Sequence, residues 1–163
     1  MIVLGIDPGL KNTGWGVIEQ QGNRLRCLAY GCVATDSRSA AAQRLAEIHE
    51  AVTKVIARYR PEECAVESVY FGTNAKTAFA TGQARGVALL AASQLPIGEY
   101  GPGEIKMAVV GTGDADKRQV QYMVRAILGL SEEPQPDHAA DALAAAICHA
   151  NSRLPRARLE RTP

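Results

Sequence analysis

The sequence has 163 residues, 18 of them Lys or Arg and 17 Asp or Glu, and 47% are hydrophobic. That length supports one globular domain with a sizeable core, close to electroneutrality, and leaves no room for a second. No stretch approaches the roughly 20 consecutive apolar residues of a membrane span, and the apolar opening MIVLG meets Asp7 too early to serve as a signal-peptide core. The expected compartment is the cytoplasm, with no membrane partner.

In chain order, Ile2 to Asp7, Gly14 to Ile18 and Leu25 to Val33 read as three strands separated by Pro8-Gly9 and Gln21-Gly22-Asn23 turns, an antiparallel meander. From Ser39 to Arg60, Leu45, Ile48, Val52, Val55, Ile56 and Tyr59 recur at threes and fours and predict an amphipathic helix that Pro61 stops. Cys64-Ala65-Val66, ending in Glu67, reads as a fourth strand returning parallel to the first through that helix. An Ala- and Gly-rich helix over Asn74 to Gln94, a fifth strand over Pro96 to Tyr100 and a helix over Asp116 to Leu128 follow. The last helix opens at Pro136-Asp137 and runs to about Ala150. The reading is a mixed α/β domain over residues 1–151, with a disordered basic tail over 152–163. Cys27, Cys32, Cys64 and Cys148 lack any C-x-x-C pair and read as core thiols.

Two neighbouring strands here end in acids, Asp7 and Glu67, where turn residues are usual. Both fall at the carboxyl edge of the sheet, the edge where open α/β sheets bind ligands. Two acids together there repel unless a divalent cation fills the gap. Taken singly, Asp7 capping the Pro8-Gly9 turn and Glu67 as an exposed strand end remain equally good readings. The last helix changes the balance, because Asp137-His138-Ala139-Ala140-Asp141 sets His138 and Asp141 on one helical face. Three carboxylates and an imidazole suit one or two hard divalent cations, Mg²⁺ or Mn²⁺. Asp137 lies on the face of Asp141 as well and is the alternative fourth ligand, although its place after Pro136 favours a helix N-cap. His149 lies about 16 Å farther along the axis at 1.5 Å per residue and is read as structural, as is His49.

Several motifs together carry a resemblance: Gly5-Ile6-Asp7-Pro8-Gly9, Thr13-Gly14-Trp15-Gly16-Val17, Val66-Glu67, Gly82-Gln83-Ala84-Arg85-Gly86-Val87, Lys106 ahead of Val109-Val110-Gly111, Lys117 with Val120-Gln121, and Asp141-Ala142-Leu143-Ala144. In this order and at this length the chain resembles the RuvC family of Holliday-junction resolvases along nearly its whole length. The resemblance implies a ribonuclease H-like α/β fold with a five-stranded mixed sheet, and a crossover junction endodeoxyribonuclease that resolves four-way DNA junctions in recombination and repair. It maps the metal ligands onto Asp7, Glu67, His138 and Asp141, with two Mg²⁺ or Mn²⁺ ions per site. The chain departs from the commonest family pattern at His138, where many members carry aspartate, and the imidazole tilts the expectation toward Mn²⁺.

The resemblance also implies that Lys106 and Lys117 act in catalysis by stabilising phosphate charge. It implies that the Tyr70-Phe71 loop stacks on junction bases. Asn74, Lys76, Arg85, Lys106, Lys117 and Arg118 form the phosphate-tracking set. A homodimer through the strip of Ala78, Gly82 and Gly86, and docking with the RuvA–RuvB branch-migration complex, come from the same source. Three competing readings remain: an actin-like or sugar-kinase phosphate-binding domain, whose opening is similar but which needs two such domains; a junction-binding scaffold that does not cut; and a related nuclease-like protein that processes RNA.

Overall fold

The computed structural model describes residues 1–68 and 75–159, with side chains as far as residue 152. The meander forms as expected: β1 (Ile2–Asp7), β2 (Asn12–Gln21) and β3 (Arg24–Ala34) are antiparallel neighbours, with Asp7 opposite Gly14. Helix α1 (Ala41–Tyr59) then crosses over and ends at Arg60 in the left-handed conformation, with Pro61 next. The crossover returns β4 (Glu63–Glu67) parallel to β1, and β5 (Ile97–Tyr100) pairs parallel to β4 after helix α2 (Ala75–Ala91). The five strands lie in the order β3-β2-β1-β4-β5.

Helix α3 (Pro102–Val110) is an element that the sequence reading leaves out. Gly101-Pro102-Gly103 looks like a loop, but Pro102 occupies the first turn, where its missing N–H costs nothing. The Glu104 carboxylate accepts the Gly101 N–H at 2.7 Å, and Gly111 closes the helix at φ 91°. Helix α4 (Lys117–Leu128) is capped by Asp116, whose carboxylate accepts the Gln119 N–H at 2.9 Å. Helix α5 (Asp137–Leu159) runs past Ala150, where the sequence reading ends it. The remainder of the expected tail, 160–163, lies outside the described residues.

Helices α1 and α2 cover one face of the sheet, over Leu4, Ile6, Val17, Cys64 and Val66. Helices α3, α4 and α5 cover the other, over Val3, Ile18 and Ala65. Alternation along the strands separates the two sets, as period-2 side chains require. Helix α5 lies against the sheet backbone. A Cβ on Gly5 would lie 2.0 Å from the Ala142 carbonyl oxygen, and one on Gly14 would lie 1.8 Å from that of His138. The helix meets these glycines with alanines, Ala139, Ala140, Ala142 and Ala144 to Ala146, all buried. Small residues on both sides therefore bring the first turn of α5 down onto the Asp7 end of β1. Among the described residues, no helix is long and apolar enough to cross a membrane.

Candidate active site

Asp7 ends β1 and Glu67 ends the adjacent parallel strand β4, so the two carboxylates share one sheet edge. Gly14, opposite Asp7, faces the His138 backbone, so the Asp7 carboxylate projects into the α5 layer. Ligand atoms of Asp7, His138 and Asp141 lie within 4.8 Å of one another. His138 Nδ1 is 2.7 Å from Asp7 Oδ2. Glu67 lies beside this group: burial first, then the charges of Asp7 and Asp141 and a hydrogen bond with Asp7, push its carboxyl up to about 8. Asp141 is also raised, by burial and then by the Asp7 charge, against the pull of Lys117. The raised Glu67 carboxyl is hydrogen-bonded with Asp7. The cluster thus carries more acid than it can ionise unaided, the condition a divalent cation relieves. Hard oxygen donors with one imidazole fit Mg²⁺ or Mn²⁺.

Asp137 is engaged elsewhere. Its carboxylate oxygens lie 2.9 Å from Gln121 Nε2 and 3.1 Å from Lys117 Nζ, and these contacts, the lysine's first, hold its carboxyl below the usual range. The expected N-cap is therefore not how this residue is used: Asp137 is the first helical residue of α5, and the lysine and amide of α4 draw its side chain away from the backbone N–H groups. Lys117 also lies 3.6 Å from Asp141.

A recess of about 200 Å³ opens beside the acids, with Ile105, Val120 and Ala144 among its apolar walls and Glu67, Lys106, Lys117 and Asp141 as its polar residues. Both lysines thus border the same recess as two of the acids. Arg85 is paired with Glu99, and Arg118 lines a separate recess with Asp116, Tyr122 and Glu133. Lys76 is exposed. Tyr70, Phe71 and Asn74 lie outside the described residues.

His149 is buried, with Nε2 2.6 Å from Glu63 Oε2 and Nδ1 2.8 Å from the Tyr100 hydroxyl, the structural role expected of it. Sequence reasoning gave Gln121 no role. The available signal was a polar residue one turn after Lys117 on a helix whose Val120, Val124 and Leu128 are buried.

A β3-β2-β1-β4-β5 sheet with acids ending β1 and β4, and a further acid on the helix packed across them, defines a ribonuclease H-like nuclease. The sequence pattern of the family described as crossover junction endodeoxyribonuclease RuvC matches residues 3–149. The chain is 53% identical over 154 residues to the crossover junction endodeoxyribonuclease RuvC of Heliobacterium modesticaldum, covering 93% of this chain and 95% of that one. It is 50% identical over 153 residues to the Moorella thermoacetica enzyme of the same description, covering 93% and 92%. Thermus thermophilus RuvC, solved in complex with a Holliday junction substrate, superposes with a TM-score of 0.89 at 42% identity, covering 94% of each chain. The chain belongs to the RuvC family of crossover junction endodeoxyribonucleases.

Proposed function

We infer that this chain resolves four-way DNA junctions by metal-dependent hydrolysis of phosphodiester bonds. The observation that carries the reading is the convergence of Asp7, His138 and Asp141 within 4.8 Å, with the buried Glu67 carboxyl alongside, pushed up by burial and by the Asp7 and Asp141 charges. Asp7, Glu67, His138 and Asp141 would hold the metal. Bound there, one or two divalent cations supply the positive charge that acidifies water and stabilises a phosphorane-like transition state. His138 contributes a neutral nitrogen donor, which favours Mn²⁺ over Mg²⁺ relative to a site made only of carboxylates. Lys106 and Lys117 hold the phosphate from the recess side as point charges. Arg85 and Lys76, with Arg118 on another face, belong to the wider phosphate-tracking set, and Tyr70 and Phe71 to base stacking.

A junction has two equivalent strands to cut, and a two-fold dimer presents one site to each. The exposed face of α2 suits that contact. Phe79 is 69% and Leu90 64% exposed, and a Cβ on Gly82 or Gly86 would meet nothing within 4 Å. Docking with the RuvA–RuvB motor and a cytoplasmic location follow from family resemblance.

The test is cleavage of a synthetic four-way junction with Mg²⁺ or Mn²⁺, alongside gel-shift binding in metal-free buffer. Asp7→Asn, Glu67→Gln and Asp141→Asn each abolish cleavage and leave binding intact, because each removes a metal donor and little DNA-contacting surface. A variant that cuts at the wild-type rate removes its residue from the site. A wild-type chain that binds but does not cut would establish the scaffold reading instead.

A further inference from the structure

Gln121 is a buried polar side chain, 7% exposed, that neither the acidic cluster nor the apolar core explains. It lies one turn after Lys117 on α4, so both side chains leave the same helical face. They converge on one carboxylate: Gln121 Nε2 donates to Asp137 Oδ1 at 2.9 Å, and Lys117 Nζ lies 3.1 Å from Asp137 Oδ2. Asp141, at 3.6 Å, is the more distant of the two acids that the ammonium touches.

We propose that Asp137, fixed by Gln121, is a positioning residue that cradles Lys117 and keeps its ammonium at the recess beside the acids, independently of Asp141. The proposal rests on the junction-cleavage reading for its functional meaning.

The physical case has three parts. Stability does not explain the contact, since both Lys117 and Asp137 are about half exposed and such pairs add little to a fold. Competition explains it better. Were Asp141 its sole acceptor, the ammonium would contend with any cation for that carboxylate, and a cation there would repel it. A second acceptor off the metal side removes the conflict. The third part is geometric. Asp137 occupies the first turn of α5, the helix that also carries His138 and Asp141, so the cradle keys the lysine to the same rigid element as those two donors. Gln121 is suited to hold Asp137 because its amide donates without neutralising the carboxylate that the lysine needs.

Three measurements test the cradle. The first is single-turnover cleavage of a four-way junction by wild type, Asp137→Asn, Gln121→Leu, Lys117→Met and the Asp137→Asn/Lys117→Met double variant. Asp137→Asn slows cleavage about tenfold, Gln121→Leu slows it less, and Asp137→Asn adds nothing once Lys117 is Met. An additive loss in the double variant, or no loss in Asp137→Asn, overturns the proposal. The second is calorimetric Mn²⁺ binding to the protein without DNA. Affinity stays within about twofold in Asp137→Asn, since that residue is not a donor to the metal. A loss of tenfold or more makes Asp137 a metal ligand and overturns the proposal. The third needs no activity: the ¹⁵Nζ–¹Hζ signal of Lys117 in the metal-free protein, assigned by its loss in Lys117→Met. It is seen in wild type and broadened away in Asp137→Asn, because a held ammonium exchanges its protons slowly. A signal that persists in Asp137→Asn overturns the cradle whether or not the chain cuts junctions, whereas absent wild-type cleavage with the signal behaving as stated overturns only the functional reading.

Discussion

His138 and His149 stand on the same helix, and each presents a ring nitrogen to a carboxylate, at 2.7 Å to Asp7 and at 2.6 Å to Glu63. By distance the two pairs are nearly identical; their surroundings set them apart. The His149 side chain is 7% exposed, and its second nitrogen meets the Tyr100 hydroxyl, so both ring nitrogens are used within the protein. The His138 side chain is 40% exposed and sits among acids that already press on one another. One pair is a closed account of donors and acceptors. The other belongs to a crowded set of acids, two of which, Glu67 and Asp141, line an opening, which is the condition for holding something from outside.

The difference can be broken most severely at the closed end. His149→Ala leaves Glu63 buried without its imidazole and is expected to cost about 3 kcal/mol or more. His138→Ala is expected to cost less than His149→Ala, since the His138 ring is 40% exposed and water can reach the Asp7 carboxylate in its place, while abolishing junction cleavage. Denaturant melts of both variants beside the cleavage assay check this. A His138→Ala chain that loses as much stability as His149→Ala would make the two ends alike.

Glycine substitutions give the next effect. A Cβ on Gly14 would lie 1.8 Å from backbone, the His138 carbonyl oxygen, whereas on Gly98 it would meet the His149 ring at 2.5 Å. Gly14→Ala must push α5 off the sheet and separate His138 and Asp141 from Asp7, losing cleavage together with about 1–3 kcal/mol. Gly98→Ala displaces a ring already held at both nitrogens, and costs stability in the same range while sparing the acids. Melting curves and cleavage rates measured together separate the two.

The acids can also be titrated. The Glu67 carboxyl is pushed up to about 8 in the folded chain, against about 4.5 for the same group in an unfolded chain. Its contribution therefore lowers metal-free stability progressively as pH rises from about 4.5 to about 8, and is fully unfavourable above that. Glu67→Gln is expected to melt with wild type near pH 4.5 and several degrees higher above pH 8. Adding Mg²⁺ to wild type closes that gap, because a bound cation stabilises the folded state. Equal melting at both pH values would show that the crowding is not felt.

The smallest effect is in metal choice. His138→Asp is expected to raise the ratio of Mg²⁺- to Mn²⁺-supported cleavage by up to about tenfold. An unchanged ratio would remove the imidazole from the donor set.

The sequence made the acids conspicuous, because Asp7 and Glu67 end apolar strands and His138 and Asp141 share a helical face. Strand pairing and one helical turn are short-range geometry, legible in spacing. Helix α3 was not legible, since Gly101-Pro102-Gly103 reads as a loop until Glu104 is seen bonded back to the Gly101 N–H. The use of Asp137 was hidden for another reason. Local preference makes it an N-cap, and what overrides that preference is Lys117 and Gln121 on another helix, whose approach depends on how α4 and α5 pack. The Gly14 contact with α5 was hidden in the same way: the glycine shows in the sequence, the carbonyl it accommodates does not.

Trp15 is the chain's one tryptophan, paired across the sheet with Ile6 and adjacent to Gly14. Strand alternation turns it to the opposite face from Asp7, where its ring lies 6.4 Å from that of Tyr59 on α1. The sole indole emission therefore arises in the layer of α1, with the sheet between it and the acids. Fluorescence of this chain reports folding of that layer, so melting curves recorded by emission and metal occupancy recorded by calorimetry are separate observables in one unlabelled sample.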